Sequence, residues 1–259
     1  PAAQFRPPVA AFDPPDDTGE AKLVEVGKTY IILELSDGTY YRVPKKQLSA
    51  ADRKFLREFV FSAECALLSR NVYGDDTPPP GWEVKETFTR ESGLKATLYY
   101  HRKRNVYVLA YKGTVPTSND DLSADAQQIY SDTPQYRDAV NLANAMKRRY
   151  GSEKLIFTGH SLGGGLAYVS AMATGNYAVV FNAAGISKKS AMALNLDLNK
   201  PYNRIYSYYI PGEWLTGFQN NLENKWPKII VVRPGQQIRL SPPSDSDSVF
   251  YWHTINAVI

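Results

Sequence analysis

The sequence predicts an α/β domain built around a largely parallel sheet, and three observations predict it. Short strand-like runs alternate with helical patterns along most of the chain, the signature of strands joined by helical crossovers. One junction is especially informative. Leu155 to Thr158 is a β-branched and aromatic run, Gly159-His160-Ser161-Leu162-Gly163 follows at once, and a small-residue helical segment then runs to Thr174. Finally, 259 residues with 43% hydrophobic and 22% charged side chains can bury a full-sized core in one large domain.

Taken in order, residues 1–20 read as a polar linker or arm, with Pro7-Pro8, Pro14-Pro15 and Asp16-Asp17 and no core of their own. Residues 21–48 read as a small β unit. Leu23 to Lys28 and Thr29 to Leu35 are strand-like, and Ser36-Asp37-Gly38-Thr39 turns tightly into Tyr40 to Val43. Residues 49–259 form the main domain. Ser49 is the expected N-cap of a helix reaching Asn71, with Phe55, Phe59, Ala63, Ala66 and Leu67 at helical spacing. Tyr73-Gly74 ends it and Pro78 to Trp82 is a loop. Val84 to Arg90 and Leu94 to His101 form a hairpin about Ser92-Gly93, and Asn105 to Tyr111 is a central strand. His101, beside Arg102, Lys103 and Arg104, is expected in a solvated turn.

Val115 to Asp132 is polar and weakly periodic, the expected place for a lid. Thr133 and Pro134 open the next helix as N-cap and first-turn proline, Ala139, Leu142, Ala143 and Met146 give it an apolar face, and Gly151 closes it. Beyond the segment ending at Thr174, Tyr177 to Phe181 is a short buried strand, Ile186 to Tyr202 a mixed excursion, and Arg204 to Ile210 another strand. Pro211-Gly212-Glu213-Trp214 turns sharply off its end. Ile229 to Arg233 and Gln237 to Leu240 are expected to form a late hairpin about Pro234-Gly235, and Val249 to Asn256 closes the chain.

Composition excludes several function classes. A net charge of +4 and a pI near 8.9 favour an anionic membrane surface but are too weak to indicate nucleic acid. A single Cys65 rules out an internal disulfide and a cysteine metal cluster; a buried thiol on a helix is expected. His101, His160 and His253 are the three histidines and leave little room for a metal site, so no cofactor is expected. No apolar run approaches a membrane span and no signal peptide is visible. The start at Pro1 reads as that of a processed or excised piece, with targeting information expected outside it.

A strand, a glycine-flanked serine and a helix make a nucleophile elbow: Gly159 and Gly163 let strand and helix approach, and the turn pushes the Ser161 hydroxyl above the sheet. The following helix aims its N-terminal N–H groups at that point, where negative charge would develop. A serine nucleophile needs a base, and a carboxylate to orient that base. In the α/β-hydrolase arrangement the chain order is serine, acid, histidine. His253 is the one histidine downstream of Ser161, so it is the candidate base. His160 is expected to play a structural role beneath the elbow. Glu213 is the favoured acid, placed just past a strand end and expected near the surface. Asp197 falls before that strand, and Asp245 and Asp247 read as solvated turn residues.

Four pieces resemble the class 3 lipases: Ala110-Tyr111-Lys112-Gly113-Thr114, Thr158 to Gly164, Val180-Phe181-Asn182 and Trp252-His253-Thr254-Ile255. They span the chain from about Val106 to its end. The resemblance implies an α/β-hydrolase fold, an esterase of acyl lipids with a lid, and an oxyanion hole formed by Thr114 and the N–H of Leu162. One departure is visible, because that family usually has aspartate where Glu213 falls. Leu67 to Tyr73 and Pro80-Gly81-Trp82 are also similar to bacterial lipase-type toxin domains, including phospholipase effectors of type VI secretion. That second, looser likeness implies delivery by a secretion system, and an immunity or secretion-apparatus protein as partner. The expected function is a serine carboxylester hydrolase cleaving lipid or phospholipid esters at a membrane interface. Acyl transfer to a non-water acceptor and hydrolysis of small esters are alternatives on the same triad. A non-catalytic lipid-binding module on a hydrolase scaffold is the alternative of another class, and the full set of Ser161, Glu213, His253 and Gly113-Thr114 argues against it.

Overall fold

The computed structural model describes residues 21–35, 40–74, 77–113, 134–213, 215 and 231–241. Three short strands, β1 (Ala21–Val26), β2 (Tyr30–Leu35) and β3 (Tyr40–Pro44), pair antiparallel in that order. Their alternation sends Leu23, Ile31 and Leu33 inward against Leu48 and Leu56, and leaves Tyr40 and Tyr41 exposed. Leu56 belongs to α1 (Ala50–Asn71), which opens with a capping box. The Ser49 hydroxyl accepts the Asp52 N–H at 3.0 Å and the Asp52 carboxylate accepts the Ser49 N–H at 3.1 Å. The other half of α1 covers the main sheet, so one helix serves two cores. Cys65 is fully buried in it, as expected, and burial pushes its thiol well above the ordinary range.

The main sheet follows from β4 (Trp82–Thr89), β5 (Lys95–His101), β6 (Val106–Tyr111), α2 (Pro134–Tyr150), β7 (Leu155–His160), α3 (Leu162–Thr174), β8 (Tyr177–Phe181), β9 (Ile186–Ser187), α4 (Lys188–Ala193), β10 (Ile205–Tyr209), β11 (Val231–Val232) and β12 (Gln236–Arg239). Seven of these strands lie in the order β12-β10-β8-β7-β6-β5-β4. The run from β6 to β12 is parallel and the β4-β5-β6 end antiparallel. Side-chain alternation divides the sheet between two helical layers. Val108 and Ala110 meet Leu68 of α1 on one face, whereas Leu109 and Tyr111 join the cluster that holds α2 and α3 on the other. Helix α2 buries Tyr136, Ala139, Leu142, Ala143 and Met146, the predicted apolar face and one aromatic more. Helix α3 is apolar on every side and is buried from Gly163 to Met172. Helices on both faces of a mostly parallel sheet, with the serine turn at the C-terminal end of the central β7, make the α/β-hydrolase fold.

Three expectations need correction. The two late runs do not pair as a hairpin: β12 runs parallel to β10, with Gln236 opposite Tyr206, and β11 pairs antiparallel with β9. The turn between them seats on β10 instead. Gly235 takes φ +89°, and a Cβ there would lie 2.4 Å from the Ile205 carbonyl oxygen. Trp82 opens β4 rather than ending a loop. His101 is its cross-strand partner and is buried instead of solvated, its ring edge-on to Trp82 at 5.1 Å between centroids. The His101 Nδ1 accepts the Arg104 N–H at 3.4 Å, so the basic turn folds around the histidine.

The glycines of the elbow are set by packing. A Cβ on Gly159 would stand 2.3 Å from the carbonyl carbon and oxygen of Gly163, and one on Gly163 would stand 2.3 Å from the Tyr111 carbonyl oxygen. Backbone therefore touches backbone where β6, β7 and α3 converge. Gly159→Ala is expected to lower folding stability by about 1–3 kcal/mol or more, read as a lower urea midpoint, because no flexible group can give way. Met192→Ala, at a side chain 68% exposed, should move the midpoint by less than about 0.5 kcal/mol.

Candidate active site

Ser161 links β7 to α3 with φ +56° and ψ −126°, a conformation that L side chains rarely adopt. Three hydrogen bonds hold it. Its N–H donates to the Phe181 carbonyl at 3.1 Å, and its own carbonyl accepts from Ala184 N at 2.9 Å and Gly165 N at 3.2 Å. The turn is thus fastened to the chain leaving β8 as well as to its own helix. Leu162, half-buried, is the first residue of α3, and first-turn N–H groups have no acceptor within their helix. A charge developing beside Ser161 would meet those donors and the positive end of the helix dipole.

The neighbouring strand ends are cross-linked. Asn182, at φ +40° just past β8, donates its N–H to the Tyr208 carbonyl at 2.8 Å and accepts the Ile210 N–H on its side-chain oxygen at 3.0 Å. The chain then turns through Pro211 and Gly212, and the Glu213 N–H donates back to the Ile210 carbonyl at 3.4 Å. This turn carries Glu213 inward. Its side chain is fully buried rather than near the surface, and its Oε2 accepts the Leu215 N–H at 2.9 Å. Asp197 is exposed and its Oδ1 accepts the Asn199 N–H at 2.9 Å, an ordinary turn contact.

His160, the last residue of β7, is buried, and its Nδ1 lies 3.5 Å from the hydroxyl of Tyr73. That tyrosine, just beyond α1, was not among the sequence candidates; a tyrosine at a helix end carries no local signal of a distant partner. Its hydroxyl accepts the Gly113 N–H at 3.1 Å. Ser161, Leu162 and Glu213 are therefore placed at or just beyond the C-terminal ends of β7 and β10, which are joined through β8. His253, Thr114, the late acids Asp245 and Asp247, and the lid segment 115–132 lie outside the described residues, as does the Thr133 cap. Among the described residues no group of three or more His, Cys, Asp and Glu side chains could hold a metal ion, and no helix is long and apolar enough to cross a membrane.

An extracellular phospholipase A1 of Serratia liquefaciens is 44% identical over 106 residues, which cover 41% of this chain and 32% of that protein. The chain thus matches about a third of the length of that relative. Among solved structures, a triacylglycerol lipase of Penicillium expansum aligns with TM-score 0.48 and 15% identity over 72% of this chain and 80% of that one. The Lip2 lipase of Yarrowia lipolytica aligns with TM-score 0.47 and 15% identity over 71% and 78%. A mono- and diacylglycerol lipase of Aspergillus oryzae gives 0.47 and 14% over 78% and 83%. The family model described as "Phospholipase-like: Tle-like phospholipase domain" matches residues 64–240, from the middle of α1 to just past β12. The chain belongs to that family of Tle-like phospholipase domains.

Proposed function

We propose that this chain is a serine carboxylester hydrolase that cleaves acyl esters of phospholipids through a covalent acyl-enzyme. The observation that carries the proposal is the strained Ser161 at the head of a buried helix, φ +56° and ψ −126°, next to the first-turn N–H groups of that helix. The phospholipase A1 named among the relatives supports the choice of lipid.

In this reading the Ser161 Oγ attacks the acyl carbonyl carbon while His253 takes its proton. The oxyanion is stabilised by the Leu162 N–H and by Thr114. The protonated imidazole is oriented by Glu213 and gives its proton to the departing lysolipid oxygen. Water then repeats the sequence on the acyl-serine and releases a fatty acid. A buried Glu213 fits its role, because a carboxylate screened from water stabilises an imidazolium more strongly. The likeness of Leu67 to Tyr73 and Pro80-Gly81-Trp82 to secreted effector domains supports use of this activity as a toxin against a target membrane, countered by an immunity protein.

Ser161→Ala should abolish release of fatty acid and lysolipid from phospholipid vesicles, assayed by product chromatography, with the melting midpoint retained. Loss of one triad member costs about 10⁴–10⁶-fold in rate. Full activity in that variant would leave the elbow as a structural turn.

The acid is tested as a set. Glu213→Gln keeps an amide oxygen that can accept the Leu215 N–H but loses the charge, so turnover should fall about 10²–10⁴-fold while substrate binding changes little. Asp197→Asn and Asp247→Asn should be nearly silent. Should Asp247→Asn instead drop to the Ser161→Ala floor while Glu213→Gln stays active, the acid comes from the last loop.

A further inference from the structure

The chain leaves β6 through Lys112 and Gly113 and passes directly beside the elbow. A Cβ on Gly113 would lie 2.6 Å from the His160 carbonyl oxygen and 3.3 Å from Gly163 N, so this peptide rests on the turn that holds Ser161. A tyrosine from a different part of the chain packs against the same glycine. The same Cβ would lie 2.5 Å from the Tyr73 hydroxyl, which accepts the Gly113 N–H at 3.1 Å. That N–H is therefore engaged within the protein, and its bond fixes the orientation of the Lys112–Gly113 peptide.

Tyr73 is itself anchored twice. Its carbonyl oxygen accepts the Lys112 Nζ at 3.3 Å, and the same ammonium sits 5.5 Å from its ring centroid. A hydroxyl has one proton and two lone pairs. With one lone pair given to Gly113, its proton is available to the His160 Nδ1 at 3.5 Å. Burial pushes Tyr73 ionisation far above the ordinary tyrosine range, so the hydroxyl stays neutral and keeps both contacts over ordinary assay conditions. One phenol thus joins the end of α1, the exit of β6 and the last residue before the proposed nucleophile.

We propose that Tyr73 is a positioning residue for ester hydrolysis: its hydroxyl holds the Lys112–Gly113 peptide, after which the proposed oxyanion donor Thr114 follows in the chain, against the turn that carries Ser161. This rests on the reading of Ser161 as nucleophile. The hydroxyl acts through Gly113 and touches neither substrate nor oxyanion. Its contribution is therefore greatest where charge develops on the carbonyl oxygen, and small in the ground state.

Tyr73→Phe keeps the ring and removes the hydroxyl. It should lower kcat about 10–100-fold, the scale of a misplaced catalytic group, with KM within about twofold and the melting midpoint nearly unchanged. Two lipid analogues separate positioning from general stability. A trifluoromethyl ketone, which forms an oxyanionic hemiketal with a serine nucleophile, should lose affinity in Tyr73→Phe by about the same factor as kcat. Its unreactive ether counterpart should bind both proteins alike. Lys112→Met, which removes the tether at the Tyr73 carbonyl but leaves the hydroxyl, should lose no more than about threefold in kcat. Wild-type turnover in Tyr73→Phe, a fall in kcat without a matching loss of trifluoromethyl ketone affinity, or an equal fall in Lys112→Met would each overturn the proposal. Ser161→Ala supplies the floor: if it stays inactive while Tyr73→Phe is fully active, only the role of Tyr73 fails. If Ser161→Ala is as active as wild type, the nucleophile and this inference fail together.

Discussion

One backbone conformation organises the rest of the molecule: Ser161 held at φ +56° between β7 and α3. Such a geometry costs a non-glycine residue about 1–3 kcal/mol and persists only where its surroundings over-determine it. Here they do. Phe181 accepts its N–H, and Ala184 and Gly165 donate to its carbonyl, three bonds each worth about 0.5–1.5 kcal/mol net. The two donors and the acceptor come from β8, from the segment after it and from α3, so the turn cannot relax unless three elements move together.

The same constraint dictates composition around it. For α3 to start directly above the sheet, its first turns must lie against the backbones of β6 and β7, and this leaves no room for side chains at Gly159 and Gly163. Buried on all sides, α3 carries no charged residue between Leu162 and Thr174. Helix α1 then closes the opposite face, and its end delivers Tyr73 to the exit of β6. Thr158, three residues before Ser161, is paired on both sides: it bonds the Val179 carbonyl at 2.6 Å and the Ser69 hydroxyl at 2.9 Å. A buried strand end satisfied on both sides transmits little motion to the serine above it.

Local patterns carried most of the fold. The G-x-S-x-G run, the apolar runs of β6 and β7, the apolar face of α2 and the Ser49 cap depend on neighbours in sequence, and each is found where its residues indicate. What local pattern could not carry was pairing between distant segments. Pro234-Gly235 looks like a hairpin turn, yet the glycine seats against Ile205, and β12 joins the sheet edge in parallel. His101 sits in a basic run that suggests solvent, yet its cross-strand partner is Trp82. Glu213 follows a Pro-Gly turn that suggests exposure, yet the Asn182 link folds it under the strand ends. The Tyr73–Gly113 bond, forty residues apart in sequence, leaves no trace in either stretch alone. In each case a tertiary contact overrides what the nearest residues imply.

The reading of Ser161 as an activated nucleophile is tested most directly by covalent capture. A long-chain fluorophosphonate, incubated with the native protein and followed by peptide mass mapping, should place one phosphonyl group on Ser161 and leave the exposed serines unmodified. Pre-incubation with phospholipid vesicles should slow that labelling. An unlabelled Ser161 under conditions that label an active serine esterase, or an adduct on another residue, would contradict the proposed chemistry.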